Sequence, residues 1–232
     1  METDPFSSSF VGTTGVISLS GLDIQPVTGT MFASGGFHNG GNLYELEQSG
    51  TASLVGPTGF DRVPGLTFDA AGTLFGSIAD ATLGEGLATI NPGRGSGSFI
   101  GGFGSSLSIE GIAFHPVTGE LYGSGVSGGV ALFTIDTSSG SASVLGVLTE
   151  AGSGLQLPKR LVGLAFGQAG ALYGSLGSGD GRIISIELTS LTFAYLGDAS
   201  DRSISDIAVL PAVVRTYQSS FGRIKSLFGS NQ

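Results

Sequence analysis

No cysteine occurs anywhere in this chain, which excludes disulfides, thiolate catalysis and cysteine-based metal sites without fixing a compartment. Positive charge is scarce. Nine Lys and Arg face 18 Asp and Glu, for a net charge of −9, and Lys159 and Lys225 are the only lysines. Nucleic acid is therefore not an expected partner, because phosphate contact needs clustered basic side chains. No apolar run approaches the roughly 18 residues of a membrane-spanning helix. The opening METDPFSSSF lacks the basic-then-apolar order of a signal peptide. Histidine is limited to His38 and His115, so a zinc site would need carboxylates that the spacing does not place. No metal and no cofactor is expected.

What the chain has in abundance is glycine, 42 of 232 residues, with no collagen period. The glycines punctuate short alternating apolar runs, as turn residues do between strands. Ile109–Val147 is the clearest unit: IEGIAFHP, ELYGS, ALFTID and SASVLGV in succession. Its first run recurs as Gly21-Leu22-Asp23-Ile24, Gly65-Leu66-Thr67-Phe68, Gly111-Ile112-Ala113-Phe114, Gly163-Leu164-Ala165-Phe166 and Asp206-Ile207-Ala208-Val209. These starts lie 44, 46, 52 and 43 residues apart. Four strands per period in the forties predicts a β-propeller. The large residues of each run share one strand face, and the middle residue on the other face is small except at Asp23 and Thr67. These runs are read as innermost strands, where neighbouring blades converge.

Second strands are expected at 30–34, 73–77, 120–124 and 171–175. Third strands follow at 42–46, 87–90, 131–135 and 183–187, and fourth strands near 52–55, 98–100, 142–145 and 192–196. The ends depart from the pattern. Residues 9–15 match 53–59 at the 44-residue offset, as the last strand of an earlier blade would, and 204–210 supply a first strand with no partner strands. The expectation is four blades plus an incomplete fifth over residues 1–211, in an open ring, a ring closed by the tail, or part of a longer propeller, which the mid-blade start favours. After Pro211, apolar residues recur every three or four positions from Val213 to Phe228, which predicts an amphipathic helix over 212–232. That tail carries Arg215, Arg223 and Lys225 and no acid, whereas residues 1–211 hold 6 basic and 18 acidic residues. Docking on the acidic propeller, or tethering to a partner or membrane surface, are the roles such a helix suggests.

The phrases GIAFHPVTGELYGSG and ALFTIDTSSGSASVLG resemble the propeller repeats of bacterial secreted and surface proteins, broadly akin to YVTN and NHL-type propellers. The resemblance spans about residues 7–211 and implies a binding module, often extracellular or at the cell surface. It transfers no catalytic residue, and neither tryptophan-aspartate nor kelch double-glycine marks stand in consistent register.

No motif names a reaction. Gly125-Val126-Ser127-Gly128-Gly129 fits G-x-S-x-G but falls in a hairpin, without the strand-to-helix setting of a nucleophile elbow. His115 stands where other repeats have Gln25 and Asp69, which reads as a turn position. Asp80 with Glu85, or Asp180 with Asp198 and Asp201, lack calcium-loop spacing. Propeller topology sorts the loops onto two faces. Those joining second to third and fourth to first strands carry His38, Asp61, Arg62, Asp80, Glu85, Lys159, Arg160, Asp180, Arg182, Asp201 and Arg202, the candidate ligand face. The insertion 148–161 is the most individual loop there. A noncatalytic binding or structural role through that face, with a protein or carbohydrate ligand, is the first expectation. A hydrolase or lyase acting on carbohydrate or lactone is the alternative, with Glu110 the first acid to test. Assembly through the basic tail is the third.

Overall fold

The computed structural model describes residues 9–36, 38–105, 107–177, 179–198 and 204–209. They form an all-β propeller of four blades, each an antiparallel sheet in simple sequential order. The first blade comprises β1 (Leu19–Ile24), β2 (Met31–Gly35), β3 (Asn42–Leu46) and β4 (Ala52–Pro57). The second comprises β5 (Arg62–Phe68), β6 (Leu74–Asp80), β7 (Gly84–Ile90) and β8 (Gly97–Gly102). The third comprises β9 (Ile109–Phe114), β10 (Leu121–Val126), β11 (Val130–Ile135) and β12 (Ala142–Val147). A short β13 (Thr149–Glu150) precedes the fourth blade: β14 (Leu161–Phe166), β15 (Leu172–Leu176), β16 (Arg182–Glu187) and β17 (Thr192–Asp198). All sixteen strands expected within the four blades are present. The two-residue β13 was not expected. It pairs in parallel with β17 and protects that blade's outer edge, while Leu148 and Leu157 of the same insertion enter the core.

The core lies between blades. One cluster joins Phe32 and Leu43 of the first blade to Val63, Leu66, Phe68 and Leu74 of the second. A second joins Phe75 and Leu87 to Ile109, Ile112, Leu121 and Phe133. A third joins Ala113 and Leu132 to Leu161, Leu164, Leu172 and Phe193. The strand period explains the division: Leu74 and Phe75 are neighbours in sequence but face opposite sides of the second sheet, and each side meets a different blade.

The repeated glycines are set by how closely the innermost strands approach. A Cβ on Gly21 would lie 2.6 Å from the Leu66 nitrogen, and one on Gly65 would collide with the Glu110 carbonyl oxygen. At Gly111 it would meet the Leu164 nitrogen at 2.9 Å. β1, β5, β9 and β14 therefore line a common axis, with room for no side chain at that register. Outer glycines show the same logic. Gly12 abuts Ser49, as Gly56 abuts Arg94 and Gly101 abuts Ser139, so residue 12 occupies the place that the 44-residue offset predicts. Residues 9–14 and 204–209 nevertheless carry no ladder of their own. The C-terminal helix expected over 212–232 lies outside the described residues. Among the described residues, no helix is long and apolar enough to cross a membrane.

Candidate functional site at the propeller axis

The polar side chains nearest the axis follow from the same packing. Each second strand buries a serine, Ser34, Ser77, Ser124 and Ser175, one residue past Ala33 in the first blade and past a glycine in the other three. A bulge in the innermost strand leaves its glycine N–H without a ladder partner, and serine supplies one. Gly21 N–H donates to Ser34 Oγ at 3.0 Å, while Ser34 Oγ donates across the blade boundary to the Val63 carbonyl at 2.6 Å. Ser77 repeats this with Gly65 (2.9 Å) and the Glu110 carbonyl (2.8 Å), and Ser124 donates to the Leu161 carbonyl at 2.8 Å. Ser175, equally buried, has no hydrogen-bond partner among the described residues. At that fourth boundary the neighbour is the segment 204–209, and there the tie is made by a carboxylate. Asp206 accepts from Leu22 N–H at 2.7 Å and from Leu164 N–H, joining the innermost strands of the first and fourth blades. Burial, with Asp23 nearby, holds its carboxyl well above the usual range.

Asp23 and Thr67, the two departures from a small middle residue, form a second set of ties. Asp23 Oδ2 accepts from Phe68 N–H at 2.6 Å, and Thr67 Oγ1 accepts from Phe114 N–H at 3.4 Å. Asp23 Oδ1 also accepts from Ile24 N–H at 2.7 Å. Burial pushes the Asp23 carboxyl up from 3.8 to about 6, against the lowering effect of the Phe68, Ile24 and Thr67 hydrogen bonds. The next two blades have Ala113 and Ala165 at this position. The lost side-chain volume opens a cavity of about 480 Å³ on the axis. Ile24, Phe68, Phe114, Phe166 and Val209, one from each innermost segment, form its apolar ring, with Asp23, Thr67, Asp69 and His115 as its polar groups. It opens at the end carrying the first-to-second strand turns. His115 is a turn residue, as its place in the repeat suggests: Nδ1 accepts from Val117 and Thr118 N–H at 3.2 and 3.1 Å. Its ring also packs edge-on against Phe166, 4.9 Å between centroids, which makes it part of the cavity wall.

None of the sequence-derived candidates among the described residues lines this cavity; those described lie at the opposite end of the strands. There the fold brings six charged residues into three ion pairs among the described residues. Arg62 reaches Glu85 at 3.5 Å, and Arg160 pairs with Glu110. Burial raises the Glu110 carboxyl, opposed chiefly by Arg160. Other candidates shape their own loops. Asp61 accepts from Ala81 N–H, and Asp80 caps Thr82 and Leu83 N–H in the β6–β7 turn. Arg182 forks onto Asp180, holding that carboxyl below its usual range, and lies 4.1 Å from the Tyr195 ring centre. Lys159 adds a favourable charge near Asp180, and His38 is exposed on the β2–β3 loop. Asp201 and Arg202 lie outside the described residues. Among the described residues no three His, Cys, Asp or Glu side chains are grouped to hold a metal ion.

No protein-family model and no curated protein matches the sequence. Solved structures do resemble the fold. A protein of unknown function from Bacteroides thetaiotaomicron superposes with a TM-score of 0.55 at 11% identity, covering 81% of this chain and 53% of its own. A gluconolactonase from Xanthomonas campestris gives 0.52 at 12% identity, covering 85% and 80%. An auxiliary nutrient binding protein from Bacteroides ovatus gives 0.51 at 9%, covering 79% and 43%. This chain thus spans about half the length of the first and less than half of the third. At such identities the likeness is one of fold: the chain is a β-propeller.

Proposed function

We propose that this protein is a noncatalytic binding propeller that takes a small ligand into the cavity on its axis. The observation that carries this reading is the cavity itself. Its volume falls in the range of small-molecule pockets, its wall is an apolar ring, and a few convergent polar groups could orient a guest. The charged loop face at the opposite end is then a second surface, suited to a protein or carbohydrate partner. Thermal-shift screening of a small-molecule fragment collection tests the cavity reading. Hits should raise the melting temperature of the native chain and fail to do so in Ala165→Phe, whose ring fills the cavity. Hits unaffected by that change would place binding elsewhere.

A second reading, a hydrolase or lyase acting on a carbohydrate or lactone, is favoured by one observation. Glu110 combines a raised carboxyl pKa with a position at the axial end of β9, as a general acid requires. The gluconolactonase from Xanthomonas campestris shows that a similar fold accommodates such chemistry. Turnover of a lactone and glycoside panel, abolished by Glu110→Gln, would favour this alternative. The finer architecture belongs to the same proposal. Residues 9–14 and 204–209 are the outer and inner segments of an incomplete fifth blade, and 212–232 form a separate basic helix that docks on the acidic propeller or tethers it to a partner. An extracellular or envelope location suits the resemblance to surface propellers.

A further inference from the structure

The chemistry of the cavity wall narrows the ligand class. Its ionisable residues among those described are Asp23, Asp69 and His115, with no Lys or Arg among the described lining residues. Asp69 already accepts from Thr73 N–H at 2.7 Å in its turn, and His115 Nδ1 is occupied by two backbone donors, which leaves Nε2 to carry the proton. Asp206, buried behind the wall, adds a further acid that interacts with Asp23. Asp23 is the lining carboxyl set deepest, flanked by Thr67 and Phe68 of β5, and its hydrogen bonds come from N–H and O–H dipoles, with no counter-ion among the described residues. An anion would face repulsion with no compensating cation. A bare divalent ion would find two carboxylates, Asp23 and Asp69, both already accepting backbone N–H bonds, where it needs six or more oxygens. A cation with an apolar body matches both halves of the wall, since aromatic rings and a carboxylate each attract an ammonium group.

We propose that the axial cavity is a site for a small organic cation, an amine carried on an apolar or aromatic body. Its charge faces the Asp23 carboxylate, and its body lies against Ile24, Phe68, Phe114 and Phe166. The proposal rests on the binding reading above and specifies its ligand. The net charge of −9 would further concentrate such a cation near the mouth.

The test uses three probes of one size, 2-phenylethylammonium, 2-phenylethanol and phenylacetate, titrated calorimetrically into the full chain. The cation should bind at least about tenfold more tightly than the alcohol, and the carboxylate should bind most weakly. Asp23→Asn should erase the preference for the cation while leaving alcohol affinity within about threefold. Ala165→Phe should abolish binding of both. In the unaltered chain, affinity for the cation should fall as pH drops from 7.5 to 5, because protonation removes the Asp23 charge; this arm needs no variant to fold. Equal affinity for cation and alcohol, both lost in Ala165→Phe, overturns the cation proposal and leaves the binding reading standing. Cation binding that survives Ala165→Phe, lacks pH dependence or is undetectable also overturns it, and the fragment screen then decides the binding reading separately.

Discussion

Serine at one register of the repeat should have opposite energetic consequences in different blades. Ser77 accepts from Gly65 N–H and donates to the Glu110 carbonyl, binding the second blade to the third in a fully buried setting. Ser77→Ala deletes both bonds and leaves a buried donor and a buried acceptor without partners. At about 1–3 kcal/mol for each orphaned group, partly relieved by local adjustment, the loss should be about 2–4 kcal/mol. Ser175 is equally buried, but its hydroxyl has no partner among the described residues to lose. Ser175→Ala removes an unsatisfied polar group and should be neutral or stabilising by up to about 1 kcal/mol. Urea unfolding followed by circular dichroism reads both. With an m-value of about 3 kcal/mol/M, Ser77→Ala should lower the midpoint by about 1 M and Ser175→Ala should leave it unchanged or raise it slightly. Comparable losses for the two variants would refute the assignment of the hydroxyls to inter-blade ties.

Further outcomes follow from neighbouring residues. Gly65→Ala drives a methyl into the Glu110 carbonyl and should cost roughly 3 kcal/mol or more, whereas Gly29→Ala, in an open turn at φ +75°, should cost only about 1; thermal melts distinguish them. Asp23 has a folded-state pKa raised from 3.8 to about 6, so its contribution to stability is fully present below about pH 4 and lost as pH rises through 6. Asp23→Asn should therefore gain on the native chain by up to about 3 kcal/mol between pH 4 and 7, superimposed on a constant offset from altered hydrogen bonding. A flat difference in paired denaturation curves would contradict this. Arg160→Ala removes the largest influence lowering the Glu110 carboxyl, whose titration, followed by carbon NMR, should move to higher pH.

The blade count and nearly every strand were legible because the propeller imposes one local rule four times. A small residue must sit where innermost strands touch, a period-two apolar run must cover each blade face, and glycine must close each turn. Gly65 and Gly111 could be placed from sequence for that reason. Ser34, Ser77 and Ser124 stood in plain register in the second strands, but their role depends on carbonyls some thirty residues away on another blade, a distance that spacing alone cannot supply. Asp23 was visible as an exception to the small-residue rule. Its meaning emerged only when Ala113 and Ala165 were seen to leave space across the axis. The charged face illustrates the converse. Loop topology placed Arg62, Glu85 and Arg160 on one candidate face, and the structure pairs Arg62 with Glu85 and Arg160 with Glu110, yet many of these charges stabilise their own turns, as Asp80 and Asp180 do. The insertion at 148–161 looked individual and proved to supply an edge strand and two core leucines.

The central claim is that the axis, between apolar side chains contributed by every blade, is where a ligand enters. Methyl NMR on alanine-labelled protein tests it most directly, because Ala113 and Ala165 line the cavity while Ala88 and Ala131 are buried within the blades. Titration with 2-phenylethylammonium should shift the Ala113 and Ala165 methyl signals saturably and leave Ala88 and Ala131 in place. Saturable shifts confined to Ala79 and Ala81, at the opposite end of the strands, would contradict it.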